Sequence, residues 1–152
     1  MSQTIVRRRS AVSNPRYGTP GSSLGLQERS TPQLIRDLRR GLSFDALARL
    51  AAESGISVSE IAAVLGIPER TLARRKVAGK LAPDESERLL RISRIFESAV
   101  RLFAGDAGAA VAWLRKARPA LGGHTPLEYS ATELGAREVE NLIGQLEHGV
   151  FP

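Results

Sequence analysis

From residue 31 onward, apolar residues recur at steps of three and four, which is the period of a helix that buries one face. Capping residues and glycines separate these runs, such as Thr31 before Pro32 at one start and Gly41 after the last periodic residue. No stretch alternates strictly between apolar and polar residues, as a half-buried strand would. The pattern therefore predicts an all-α fold.

The same signals divide the periodic region into separate predicted helices. The longest covers 83–103 and carries Leu89, Ile92 and Phe96 on one face, which continues for about five turns. The others are predicted over 32–40, from Ser43 to Gly55, from Ser57 to Gly66, from Pro68 to Gly79, from Asp106 to before Pro119, as a turn from Thr125-Pro126, and from a capping box at Ser130–Glu133 to Gly149.

Residues 57–78 have the layout of a helix-turn-helix. A short helix is followed by Gly66 at the bend, and a second helix begins at Pro68. Ala62 is small where the two helices would cross, and apolar residues on both sides supply a shared core. In this motif the second helix enters the major groove of DNA.

Basic residues concentrate on that second helix. Arginine can read guanine edges with two hydrogen bonds, and lysine neutralises phosphate charge. The alternative is that these charges form only a solvated face. The DNA-binding interpretation predicts outward positions for Arg70, Thr71, Arg74 and Arg75, with Lys76 and Lys80 near the phosphates.

The charge distribution supports a polyanionic partner for the front of the chain. The net charge is +6, and residues 31–103 hold thirteen basic and nine acidic residues, whereas 104–152 hold four and six. Such an asymmetry suggests nucleic acid for the first part and a different partner for the last. Residues 1–29 include Arg7, Arg8 and Arg9 among Ser, Pro and Gly, and are predicted to form a flexible basic arm.

The composition argues against catalysis and against metal or cofactor binding. The chain has no cysteine, and its two histidines, His124 and His148, lie in no metal-ligand or nucleophile spacing. We therefore predict no catalytic residue, no metal site and no cofactor. No run approaches the ~20 apolar residues of a membrane helix, and the lack of cysteine fits a reducing cytoplasm, so a cytoplasmic location without membrane contact is expected.

The last residues, Val150, Phe151 and Pro152, are apolar. Apolar area left in water costs about 25 cal/mol per Å². The tail is therefore expected either to fold back onto its own core or to contact a partner. His148, in the last turn of the final helix, either favours the helix dipole or belongs to the same contact.

Several short motifs follow one another in the last third: Trp113-Leu114, Leu121-Gly122-Gly123, Pro126-Leu127 and Glu147-His148-Gly149. With the helix-turn-helix ahead of them, residues 32–152 resemble the antitoxins of the Xre/MbcA/ParS type. The resemblance implies a type II antitoxin that neutralises a RES-domain toxin, an enzyme that consumes NAD, by blocking its active site, and that represses its own operon. The toxin-facing residues implied are His124, Glu128, Tyr129, Glu147, His148, Val150, Phe151 and Pro152.

These observations predict three segments: a flexible basic arm at 1–29, a helix-turn-helix DNA-binding domain at 30–81, and a helical dimerisation and toxin-binding domain at 82–152. The expected partners are the toxin, operator DNA and a second copy of the chain, because operator symmetry favours a homodimer within a hetero-oligomeric complex. The alternative function is that of a stand-alone helix-turn-helix transcription regulator.

Overall fold

Eight α-helices and two short 3-10 turns form the described part of this computed structural model, residues 17–149, and no strand occurs there. The all-α fold class is therefore confirmed. The helices are α1 Thr31–Arg40, α2 Phe44–Ser54, α3 Val58–Val64, α4 Glu69–Ala78, α5 Pro83–Leu102, α6 Ala107–Leu114, α7 Pro126–Tyr129 and α8 Glu133–Glu147; the 3-10 turns are Ser22–Leu24 and Pro119–Leu121.

Short polar side chains cap six of the eight described helices, and two of these starts differ in detail from the prediction. Ser30, and not Thr31, caps α1, because its side chain accepts from the Gln33 N–H and the Gln33 side chain accepts from the Ser30 N–H. At α8 the cap is Thr132 rather than a box begun by Ser130. The Ser130 hydroxyl is buried and donates to the Pro126 carbonyl at 2.7 Å, so it closes α7 instead.

Helix α5 is the element around which the others pack. It contacts α1, α2, α6 and α8, and its predicted apolar face is buried, with Leu89, Ile92 and Phe96 at most 3% exposed. Twenty residues of helix span about 30 Å, so α5 reaches both the helix-turn-helix and the C-terminal helices. No helix within residues 17–149 is long and apolar enough to span a bilayer.

The predicted basic arm is too long at its C-terminal end. Tyr17 is 2% exposed, its ring packs edge-on against Phe96 with centroids 5.6 Å apart, and its hydroxyl donates to Glu53 at 2.5 Å. Ser23 donates to the buried carboxylate of Glu97 through its N–H at 2.9 Å and its hydroxyl at 2.6 Å. These contacts order residues 17–26 without any helical periodicity. Residues 1–16, with Arg7 to Arg9, lie outside the described residues.

Two loops hold the helix-turn-helix against α5. The loop between α1 and α2 pairs with the loop between α4 and α5: the Leu81 N–H donates to Leu42 and the Phe44 N–H to Gly79. Gly41 makes this approach possible, since its φ is +93° and an added Cβ would lie 2.1 Å from the Leu81 carbonyl oxygen. The end of α4 is thereby fixed relative to α2 and α5.

Candidate functional site

Helices α3 and α4 form the predicted helix-turn-helix. Ala62 is 1% exposed, and its carbonyl accepts the Ile67 N–H at 2.8 Å, which closes the turn between the helices. Gly66 within that turn has a φ of +76°, a conformation that glycine adopts without strain. Gly66, which the sequence placed at the bend, therefore allows the chain to turn between the two helices. The apolar core that they share fixes the angle of α4 relative to α3.

Helix α4 shows most of its surface to solvent. Leu72 is its one buried residue, while Arg70, Arg74 and Lys76 are exposed and Thr71 is half-buried. The Arg74 guanidinium donates to the Thr71 hydroxyl at 3.3 Å, and Lys80 is exposed just beyond the helix. Four of the six predicted DNA-binding residues are therefore exposed, and the other two, Thr71 and Arg75, are half-buried.

Arg75 differs from its neighbours because it lies three residues after Leu72 and points inward. Its guanidinium donates to both carboxylate oxygens of Glu85 on α5, at 2.8 and 3.0 Å, and Glu85 also accepts the Ala82 N–H. The hydrogen bond from Arg75 lowers the pKa of the Glu85 carboxyl and raises that of Arg75. This ion pair joins α4 to α5, so the guanidinium is already engaged within the protein.

Val77 belongs to the same surface but was not among the predicted residues. Its side chain is 91% exposed, although valine is apolar. Helical periodicity could have found it, because position 77 is five residues after the buried Leu72, on the opposite side of the helix.

In the C-terminal half, a cavity of about 610 Å³ opens between α7 and α8, and we call it the α7–α8 cavity. It brings together three predicted toxin-facing residues, His124, Glu128 and Tyr129, and the His124 and Tyr129 rings stack with centroids 5.6 Å apart. Thr125 positions this part through a capping box with Glu128. The remaining lining residues, not predicted from the sequence, are Thr132, Leu134, Gly135, Arg137 and Glu138.

Leu134 is the most unusual of these residues, since it is a large apolar side chain that is 77% exposed. It stands beside Glu133, whose carboxylate pairs with Arg91 at 3.3 Å and with Arg137 at 3.1 Å. The hydrogen bond from Arg137 lowers the pKa of Glu133. These ion pairs of Glu133 therefore fix the first turn of α8, and the Leu134 side chain on the same turn faces solvent.

The other predicted toxin-facing residues lie at the opposite end of α8. Glu147 and His148 are exposed, and Val150, Phe151 and Pro152 lie outside the described residues. Thirteen residues of helix separate Leu134 from Glu147, which corresponds to about 20 Å. The described part of the predicted set thus forms two clusters at the two ends of one helix.

A smaller cavity of about 320 Å³ adjoins the second cluster and is lined by Trp113, Arg118, Leu142 and Leu146 among others. The Arg118 guanidinium lies over the Trp113 ring, 4.9 Å from its centroid, and donates to the Trp113 carbonyl. Burial lowers the pKa of Arg118, whose Nε has no hydrogen-bond partner. Trp113 itself is 8% exposed and belongs to the core.

Besides the Arg75–Glu85 pair, a second ion pair connects the two halves. Arg115, after α6, donates to Glu60 on α3, with Nε 3.2 Å from the nearer carboxylate oxygen, and this hydrogen bond raises the pKa of Arg115. Within residues 17–149 no three His, Asp or Glu side chains gather into a possible metal site.

Comparison with known proteins assigns a family to each half. Residues 33–94 match the family model of the antitoxin Xre-like helix-turn-helix domain, and residues 98–149 match that of the antitoxin Xre/MbcA/ParS C-terminal toxin-binding domain. The two matches meet within α5, which packs against both halves.

Relatives described as antitoxin Xre extend the match over most of the chain. The protein from Yersinia enterocolitica is 40% identical over 129 residues, which cover 84% of this chain and 87% of the relative. That from Photorhabdus laumondii is 36% identical over 139 residues, 91% of each chain. A Pseudomonas putida protein is 38% identical over 84 residues, 55% of this chain and 52% of its own. The chain therefore belongs to the Xre antitoxins, a family of helix-turn-helix and toxin-binding proteins and not of enzymes.

Proposed function

We propose that this antitoxin neutralises a RES-domain toxin that consumes NAD, by covering the toxin's active site, and that it represses the operon encoding both proteins. The observation that carries the toxin half of the proposal is the exposed Leu134. It stands at the rim of the α7–α8 cavity, within the segment that matches the toxin-binding domain. A single exposed leucine is ordinary on a protein surface, so it is the position beside this cavity, next to Tyr129 and inside the toxin-binding domain, that supports a contact with a protein partner.

The α7–α8 cavity has the composition of a protein-binding surface. Tyr129 and Leu134 supply apolar area, and Glu128, Arg137 and Glu138 supply charge around it. Interfaces combine apolar and aromatic residues at the centre with a polar rim, and a few central residues carry most of the binding energy. Leu134 is our candidate for such a residue.

The C-terminal tail reaches the toxin's substrate pocket in this proposal. A NAD pocket is concave and holds cationic groups for the pyrophosphate, so the carboxylate of the exposed Glu147 beside apolar residues is complementary to it. A toxin that contacts both ends of α8 covers about 20 Å, a length that fits a standard-sized interface.

Operator binding is proposed for the exposed face of α4. In this proposal Arg70, Thr71 and Arg74 contact base edges, Lys76 and Lys80 contact phosphates, and Val77 contacts a thymine methyl group. All of them except the half-buried Thr71 are exposed. For Arg75 we propose a positioning role, because its pair with Glu85 holds the angle at which α4 is presented.

Two substitutions test the two halves separately, and each serves as the control for the other. Leu134→Asp introduces a charge where an apolar contact is proposed, so toxin affinity is expected to fall at least tenfold while operator binding is unchanged. Arg74→Ala is expected to weaken operator binding and to relax its preference for guanine at the contacted position, with toxin neutralisation intact.

Calorimetric titration measures the affinity for the toxin, and DNA-binding measurements at several salt concentrations measure operator binding. Unchanged toxin affinity in Leu134→Asp would remove the α7–α8 cavity from the interface. Operator binding that keeps its affinity and its base preference in Arg74→Ala would remove this arginine from the DNA contact. Truncation after Gly149 tests the tail: the complex should persist while the toxin regains activity, and full neutralisation by the truncated chain would refute the role of residues 150–152.

A further inference from the structure

The cavity of about 320 Å³ near the end of α8, which we call the Trp113 cavity, is lined mainly by apolar side chains. Trp113 and Leu142 belong to the core, and Leu146 is half-buried. Pro119 and Ala120 also line the cavity, and both are exposed. The cavity therefore opens to the surface while its interior is aromatic and aliphatic.

The charge beside this cavity is already engaged. Arg118 is the one charged residue that lines it within residues 17–149, and its guanidinium lies over the Trp113 ring and donates to the Trp113 carbonyl. An acidic ligand would have to compete with these contacts, so an apolar occupant fits better. The volume is at the lower end of the ~300–1,000 Å³ of ligand pockets, which is room for one or two side chains and not for a helix.

The end of α8 turns the chain back toward the same helix. Gly149 has a φ of +73°, and its N–H donates to the Leu146 carbonyl at 3.1 Å. After a left-handed glycine of this kind, the next residues commonly pack against the last turns of the helix. Leu146 and Leu142 lie about 5 and 10 Å before Gly149 along the helix axis, and three extended residues span about 10 Å. The Trp113 cavity is therefore within reach of residues 150–152.

We propose that residues 150–152 fill the Trp113 cavity in the free antitoxin, with the Phe151 ring against Trp113. The segment Val150-Phe151-Pro152 is apolar throughout, so docking removes both its own side chains and those of the cavity from water. Two aromatic rings in contact gain further from an offset or edge-on arrangement. Of the two outcomes that the sequence leaves open for this tail, folding back onto the core thus applies to the free chain.

Attachment to α8 favours this segment over an occupant from another molecule. A short linker gives an effective concentration of millimolar order, and only Gly149 and His148 separate the segment from the helix. A side chain of the toxin or of a second copy would have to displace it. Ordering three residues costs entropy that offsets part of the gain from burial, so the docked segment is held reversibly.

Toxin binding should then empty the cavity. In the proposed function the same residues enter the toxin's substrate pocket, and they cannot occupy both places. This release rests on the proposed function, whereas docking in the free chain does not. Reversible docking keeps the apolar segment out of water until the toxin provides a better site for it.

Trp113 is the only tryptophan of the chain, so its fluorescence reports on the cavity. In the full chain without toxin, Phe151→Ala and truncation after Gly149 should both shift the emission maximum to longer wavelength and increase quenching by acrylamide, because water enters the cavity. Ile35→Ala is the matched control: Ile35 is an apolar residue that is 43% exposed on α1 and does not line the cavity, so this variant should leave the emission unchanged.

Identical emission and quenching in the wild-type and truncated chains would overturn the proposal. Docking within one chain also requires that the wild-type spectrum does not change with protein concentration. A difference between the two chains that appears only at high concentration would assign the cavity to the tail of a second copy, and would overturn the proposal as well.

Fluorotryptophan in place of Trp113 follows the same cavity in the complex with unlabelled toxin. The fluorine NMR resonance of the wild-type antitoxin should move on toxin binding toward that of the truncated chain. A resonance that stays in place while the toxin is neutralised would refute the release of the segment. NAD consumption that continues unchanged in the complex would instead refute the proposed function and leave the result on the free chain intact.

Discussion

Helix α8 contains two glycines at which one substitution should have opposite effects. At Gly135, in the first turn, an added Cβ would lie 1.7 Å from the Tyr129 carbonyl oxygen and 2.8 Å from its carbonyl carbon. At Gly144, further along the helix, no atom outside the local backbone lies within 4 Å of such a Cβ. Gly135→Ala and Gly144→Ala therefore form a matched pair within one element.

The expected magnitudes follow from these distances. Van der Waals contact at Gly135 requires α7 and α8 to separate by roughly 1.5–2 Å, and such overpacking costs about 1–3 kcal/mol. Removing a glycine from a helix interior gains about 0.5–1 kcal/mol, which offsets part of this cost. For a chain of this size 1 kcal/mol corresponds to about 2–4 °C. The net loss of about 0.5–2 kcal/mol gives unfolding about 1–8 °C lower for Gly135→Ala, and the gain gives unfolding about 1–4 °C higher for Gly144→Ala.

Thermal unfolding followed by circular dichroism measures both shifts, and toxin affinity provides a second test. Tyr129 and Gly135 both line the α7–α8 cavity and Gly144 does not, so Gly135→Ala should also weaken toxin binding, whereas Gly144→Ala should not. If Gly135→Ala melts at or above the wild-type temperature, the two helices do not approach as closely as the structure has them, and the reasoning fails.

Further predictions concern buried polar groups. Burial raises the pKa of Glu97, so the carboxyl holds its proton above about pH 4.3 in the folded chain, and wild-type stability should fall as pH rises through that raised value. Glu97→Gln should lack this fall and be relatively more stable at pH 8; parallel melting curves for both chains across pH 4–8 would contradict this. The pKa of Glu85 is lowered, so its ionised form stabilises the folded chain above about pH 4, and this contribution is lost as pH falls. Glu85→Gln should therefore melt at a lower temperature than wild type at neutral pH, and the difference should shrink as pH falls below about 4. Ser86→Ala removes the buried hydroxyl that accepts the Leu42 N–H at 2.7 Å, which should cost about 1–3 kcal/mol in urea unfolding; a smaller loss would mean that the N–H finds another acceptor.

Local signals in the sequence were sufficient for the helices and for the exposure of most residues in the predicted DNA-binding set. Gly66, Ser57 and Pro68 determine where helices begin and end through contacts within a few residues of their own positions. Helix α4 has one buried residue, Leu72, so the exposed side of α4 could be predicted from helical periodicity. Arg75 could not be assigned in this way, because its partner Glu85 lies on another helix. Charge alone does not distinguish an arginine that faces DNA from one that holds a helix.

Contacts between distant segments account for the other differences. Residues 17–26 are ordered by Phe96, Glu97 and Arg101 of α5, which follow them by more than seventy residues, so their composition alone suggested a flexible arm. Likewise, the α7–α8 cavity depends on the close approach of the two helices that Gly135 permits. The position of Leu134 at its rim could not be predicted from the sequence, because the cavity forms only when these helices pack together.

The measurement that tests the central claim most directly is NAD consumption by the purified toxin encoded beside this antitoxin, titrated with the full chain. Activity should fall to background when every toxin binding site is filled, and excess NAD should slow the onset of inhibition, because both compete for one pocket. A complex that forms at full occupancy while NAD consumption continues unchanged would contradict neutralisation by covering the active site.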